Sequence, residues 1–160
     1  MEKILTFFIT LMVSTSVFAA SDSYDDNASD VPSMHSVKKL IKKENYQGAI
    51  DKLFVIEKEK SNNANVYNLL GYSHRKLQRY EKAYDYYQAA LKIKPKHKGA
   101  NEYLGELYVE TDRLAEAQQQ LEILKEICST KCKEYKQLKS VIDAHQNSQL
   151  LQRIKEFSVN

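Results

Sequence analysis

The chain has 160 residues, with 24 Lys or Arg against 21 Asp or Glu and a formal charge of +3. That length suits one domain with an adequate core. Four Gly, two Pro, two Cys and no Trp fit a helical chain, and 11 Tyr suit a thin, two-layer structure, since the ring buries while the hydroxyl reaches the surface.

Residues 1–19 differ in kind from the rest. Lys3 gives a weakly positive start, an apolar run follows from Ile4 to Val13, and the small-residue site Val17-Phe18-Ala19 precedes Ala20. This is the layout of a cleaved export signal, and the run is short for a membrane span. No Cys lies near the site, which excludes lipid attachment there. The expected location is the periplasm, or the outside of the cell where no outer membrane exists. No membrane-spanning segment is expected after cleavage. Residues 20–31 carry Asp22, Asp25, Asp26 and Asp30 without an apolar period and are expected to be a disordered acidic linker.

From Pro32, expected in a first helical turn, the period becomes helical. Val37, Leu40 and Ile41 form one apolar stripe. Asn45-Tyr46-Gln47-Gly48 reads as a bend into a second helix, whose inner face holds Ala49, Ile50, Leu53, Phe54 and Ile56. Ser61-Asn62-Asn63 breaks the pattern. Further helices are expected over 65–76, 80–93, 100–110 and 114–127. Turns fall at Gln78-Arg79 and Thr111-Asp112-Arg113, and Pro95 forbids continuation of the fourth helix. A stripe of Tyr135, Leu138, Val141, Ile142 and His145 predicts a last helix over 133–146 covering the preceding pair. Leu150, Leu151, Ile154 and Phe157 either extend it or form an amphipathic tail.

These helices repeat. Leu70-Gly71 and Leu104-Gly105 lie 34 residues apart, as do Ala83 and Ala117, and Tyr87 and Leu121. A weaker upstream copy sets Tyr46, Ala49 and Leu53 the same distance before Tyr80, Ala83 and Tyr87. A fixed period of this length signals a solenoid of one repeated unit.

The run Tyr67-x-x-Leu70-Gly71-x-x-His74, followed by Ala83-x-x-x-Tyr87, Ala90 and Pro95, resembles the tetratricopeptide repeat. The resemblance implies an all-α, right-handed solenoid of about three helix hairpins, over 32–63, 64–97 and 98–131, with 132–160 as capping helix and tail. It also implies a protein-interaction module without catalysis or cofactor. Small residues at Gly71, Ala83 and Ala90 let paired helices approach closely. The first repeat is degenerate, with Ser36 and Val37 where Leu and Gly would stand, as befits a terminal unit.

In this family the first helix of each hairpin lines a concave surface. By position that groove would present Lys38 and Lys42, then Asn65, Asn68, Tyr72, Arg75 and Lys76, then Glu102, Glu106 and Glu110. From Lys38 to His97 there are 14 basic and 6 acidic residues, and from Lys98 to Ile127 there are 3 and 7. The expectation is a groove basic at one end and acidic at the other, suited to a peptide carrying both signs. The family's clamp for a C-terminal carboxylate uses positions held here by Met34, Lys38, Leu69, Gly99 and Tyr103, of which only Lys38 could serve. Stacking of end repeats into a homo-oligomer is a second mode of association.

Other chemistries find little footing. Glu102 and Glu106 share an open helix face with no nucleophile or His nearby, so acid–base catalysis is not indicated. His74 stands at a packing position and reads as core. Export removes nucleic acid as a partner. Cys128 and Cys132 read as a disulfide locking the last repeat to the cap, in keeping with an oxidising compartment. A Cys pair before a Glu-Tyr helix is also similar to small exported bacterial proteins with these repeats. A redox-linked or metal-handling role for the pair, and a membrane-surface adaptor held by Lys-rich faces, stand as alternatives.

Overall fold

The computed structural model describes residues 31–159, so the expected export signal and most of the acidic linker lie outside it. Among the described residues there are seven helices and no strands: α1 Met34–Lys42, α2 Tyr46–Glu59, α3 Ala64–Lys76, α4 Tyr80–Ile93, α5 Lys98–Glu110, α6 Leu114–Cys128 and α7 Lys133–Val159. Each packs on the next. In addition α3 touches α5 and α5 touches α7, while α2, α4 and α6 pack chiefly on the odd-numbered helices. The odd-numbered layer, whose members meet, therefore forms the inner side of the curve.

Three turns close the hairpins in the same way. Glu44, Gln78 and Asp112 each adopt left-handed backbone, with φ of 58°, 57° and 58°. The following amide in each case donates to the carbonyl five residues back: Asn45 to Leu40 at 3.0 Å, Arg79 to His74 at 2.9 Å, and Arg113 to Tyr108 at 2.7 Å. This satisfies carbonyls that the end of a helix would orphan. None of the three is Gly, so each turn carries some conformational cost.

The starts of the helices depart from expectation in two places. Pro32 precedes the cap rather than lying in the first turn, because Ser33 caps α1 by accepting from the Ser36 amide at 3.2 Å. Gly48 lies inside α2, not in a bend: Glu44 makes the turn and Asn45 caps α2 through the Gly48 amide at 2.9 Å. A Cβ on Gly48 would come within 2.9 Å of the Asn45 side chain, so the cap itself demands a small residue there. The fourth helix ends at Ile93, two residues before Pro95, as expected.

The core has two parts. Val37, Ala49, Ile50, Leu53, Ile56, Val66 and Leu70 close α1 to α3. Ala83, Tyr87, Leu104, Leu107, Tyr108, Val109, Ala117, Leu124, Leu138 and Ile142 close α4 to α7. Gly71 and Gly105, one period apart, serve different contacts. A Cβ on Gly71 would fall 2.5 Å from the ring of Tyr87, in the second helix of its own hairpin. A Cβ on Gly105 would collide with Leu138 of α7. The last helix thus docks directly over the second small-residue site.

A disulfide joins Cys128, the last residue of α6, to Cys132, just before α7, with Cα atoms 5.8 Å apart. The last helix then runs unbroken to Val159, beyond the expected 146. Its final turns expose Leu150, Leu151, Ile154 and Phe157.

Candidate functional site: the inner face of α3, α5 and α7

The inner layer carries a strip of aromatic rings. Tyr72 of α3 lies 4.9 Å from Tyr103 of α5, centroid to centroid, and 6.2 Å from Tyr46. Both Tyr72 and Tyr103 are half-buried. The guanidinium of Arg75, one turn after Tyr72, sits 5.7 Å from the Tyr72 ring and 5.8 Å from the Tyr103 ring, within cation–π range. Lys76 reaches over the outer side of Tyr72 at 5.6 Å.

Arg75 is buried; both its terminal nitrogens are paired, and its Nε has no partner. One terminal nitrogen donates to Glu106 at 2.5 Å and the other to Glu110 at 2.6 Å. These acids lie four apart on α5, so one Arg spans a full helical turn of its neighbour. Burial opposes the charge, but Tyr87, Glu106 and Glu110 beside it outweigh that and hold its pKa above the ordinary value. The expected bipolar groove is thereby changed in the middle. The acid row of α5 does not face solvent as a free anionic end, because its last two members neutralise a cation from α3.

Glu102, the first of the row, differs. Only 6% of it is exposed, and among the described residues no hydrogen bond or ion pair reaches it. Its pKa is pushed up to about 7 by burial, and then by Glu106 and by Glu134 of α7. Burial, with Glu102 next to it, also pushes Tyr103 up to about 12. Asn68 is 7% exposed, and its carboxamide oxygen has no partner. Its amide nitrogen lies 3.3 Å from where a Cβ on Gly99 would stand, against the first turn of α5.

The remaining expected groove residues scatter. Asn65 is exposed and bonds His97 Nε2 at 2.9 Å, while His97 Nδ1 accepts the Ala100 amide and caps α5. Lys38 and Lys42 are exposed on α1. Tyr72, Arg75, Lys76, Glu106 and Glu110 are brought together, with Asn68 and Glu102 at the α5 end. Tyr46 and Glu134 lie outside the expected groove positions, and Tyr103 stood only at a clamp position that it could not serve. Tyr103 aligns with Leu69 in the ladder and so carried no repeat signal, and Glu134 belongs to a helix outside the 34-residue register.

His74 is core, as expected. It is buried, stacks on Tyr86 at 5.2 Å, and both ring nitrogens lack a partner. Burial, then Arg79 and Lys82, holds its pKa below the ordinary value. At the other end the two Cys sulfurs and a carboxylate oxygen of Glu134 lie within 4.8 Å of one another, but the disulfide occupies both sulfurs. Among the described residues no helix is long and apolar enough to cross a membrane.

The tetratricopeptide repeat model matches residues 64–97, α3 and α4 with their flanks. Solved structures with the same helical stacking extend the likeness beyond that unit. Residues 64–97 match a tetratricopeptide repeat, and the chain has the fold of a tetratricopeptide-repeat solenoid. A MamA double mutant, from RS-1, superposes with a TM-score of 0.54 at 22% identity over 58% of this chain, which spans about half (52%) of MamA. The second tetratricopeptide domain of human RPAP3, bound to an HSP70 peptide, gives a TM-score of 0.60 at 20% identity, covering 68% of this chain and 90% of that one. The Yersinia enterocolitica type III secretion chaperone SycD gives 0.63 at 16% identity over 81% of this chain and 98% of that one, and 0.60 when bound to a peptide of the translocator YopD. No curated protein sequence matches significantly.

Proposed function

We propose that this solenoid is a non-catalytic adaptor of the cell envelope that holds an extended or helical segment of a partner protein against the inner face of α3, α5 and α7. The observation that carries this reading is the strip of half-buried Tyr72 and Tyr103 rings beside Arg75, Glu106 and Glu110. Rigid aromatic rings offer large contact area at small entropic cost, and the ion-paired fork fixes the helices that carry them. Peptide complexes of RPAP3 and SycD, whose folds are similar, support the same use of the scaffold. The envelope location rests on the export-signal pattern of residues 1–19.

Selection of a displayed random 12-residue peptide library on the intact mature protein tests the reading. Recovered peptides should bind Tyr72→Ala about tenfold more weakly. They should bind Phe54→Ala, on the exposed side of α2, as they bind the parent. Equal loss at both sites, or none at Tyr72, contradicts the assignment. Mass spectrometry of the protein from its native compartment should find Ala20 at the amino terminus, and an intact Met1 in the cytoplasm would contradict export.

A further inference from the structure

Near the start of α5 the inner face carries Asn68 and Glu102. Asn68 and Glu102 are each more than nine-tenths buried. The Asn68 carbonyl oxygen is buried without a donor, and Glu102 has no hydrogen bond or ion pair among the described residues. Buried polar atoms in native structures are nearly always satisfied, so the orphaned Asn68 oxygen calls for a donor. Gly99 ties them together. It holds the Asn68 amide against the first turn of α5, and Glu102 follows three residues later on the same helix face.

The charges around Glu102 come from three elements: Arg75 on α3, Glu106 and the Tyr103 phenol on α5 itself, and Lys133 and Glu134 on α7. Arg75 is already committed to Glu106 and Glu110. Lys133 is exposed at the start of α7 and forms no ion pair with Glu102. The surroundings of Glu102 are thus mainly acidic, with Arg75 and Lys133 as its nearby cations.

We propose that this corner receives the cationic side chain, Lys or Arg, of the peptide bound in the groove, with the Glu102 carboxylate as its counter-ion and the Asn68 oxygen as a second acceptor. The inference rests on the groove reading above and makes it specific: the partner segment carries a basic residue in register with α5. A protonated Glu102 cannot serve as counter-ion. With its carboxyl titrating at about 7, the competent fraction grows about tenfold between pH 6 and pH 8, and apparent affinity grows with it.

The test uses ¹⁵N-labelled mature protein and four small probes: the N-acetyl methylamides of lysine, of arginine and of Nε-acetyl-lysine, and glycine methylamide. Lysine and arginine probes should shift the Asn68 side-chain amide and the Gly99 backbone amide, bind about tenfold more tightly at pH 8 than at pH 6, and lose that pH dependence in Glu102→Gln. The neutral acetyl-lysine probe should leave both signals in place. Equal response to the neutral probe, or no response at Asn68 and Gly99, overturns the site. A response to glycine methylamide equal to that of the lysine probe overturns the side-chain assignment. Asn68→Leu gives a second variant, in which the lysine-probe shifts of Gly99 should also be lost. If library peptides bind the Tyr72 strip without any basic residue in common, this site falls while the groove reading survives.

Discussion

The second and third repeats follow one register, yet they close in different ways. In the second repeat Gly71 admits the buried Tyr87 ring, and the hairpin seals on its own helices. In the third repeat Leu121 takes the place of Tyr87 one period on, and the space at Gly105 is filled by Leu138 from α7. The self-closed unit supplies the buried cation, Arg75, and the unit completed by the cap supplies the acids, Glu102, Glu106 and Glu110. A repeat period sets where small residues fall; it does not set which helix fills the space they leave. The same small position can stiffen a hairpin or recruit a cap.

The largest break in this comparison should come from the ion pair that joins the two units. Arg75→Ala leaves Glu106, already largely buried, beside Glu102 without a counter-charge. A loss of about 3 kcal/mol is expected in urea unfolding, because removing one member of a buried pair strands the other. Arg75→Met should cost less than Arg75→Ala, since it keeps the packing volume.

The two glycines come next. Gly71→Ala drives a Cβ into a fully buried aromatic ring and should cost about 2–3 kcal/mol. Gly105→Ala meets the tip of a flexible Leu and should cost about 1 kcal/mol, with faster hydrogen exchange confined to α7. Equal costs, or global loosening in Gly105→Ala, would erase the distinction between a self-closed and a cap-closed repeat.

Glu102 adds a pH signature. Its folded pKa of about 7 lies above the ordinary 4.5, so as pH rises the unfolded chain releases this proton first. Stability is therefore lost between about pH 4.5 and pH 7 and stays level above. Glu102→Gln should melt higher than the parent at pH 8, by the equivalent of on the order of 1 kcal/mol after solvent screening, and at the same temperature at pH 4. The smallest effect belongs to the turns. Gln78→Gly should stabilise by about 0.5–1 kcal/mol by relieving left-handed strain. Asp112→Gly should gain less, because Asp tolerates that backbone better.

The hairpins and their period were legible because packing demands recur: Gly71 with Ala83, and Gly105 with Ala117, repeat at fixed distance. The turn residues Glu44, Gln78 and Asp112 keep the same 34-residue spacing, but their identities hide it, since none is the Gly that left-handed backbone favours. Counting along the repeats put Arg75 and the α5 acids on the first helices of successive hairpins. It expected them as opposite ends of a charged surface, because net charge by segment does not reveal that a guanidinium can cross from α3 to α5. Glu134 was out of reach for a further reason: α7 joins the inner face by covering Gly105, and no repeat position predicts where a capping helix lands.

On the proposed function, partners bind the inner face of α3, α5 and α7. Titration of ¹⁵N-labelled protein with a library-selected peptide tests it most directly. The largest amide shifts should fall within 68–76, 99–106 and 133–138, and small ones in α2, α4 and α6. Shifts centred on α2 and α4, or on the exposed end of α7 around Leu151 and Phe157, would contradict it.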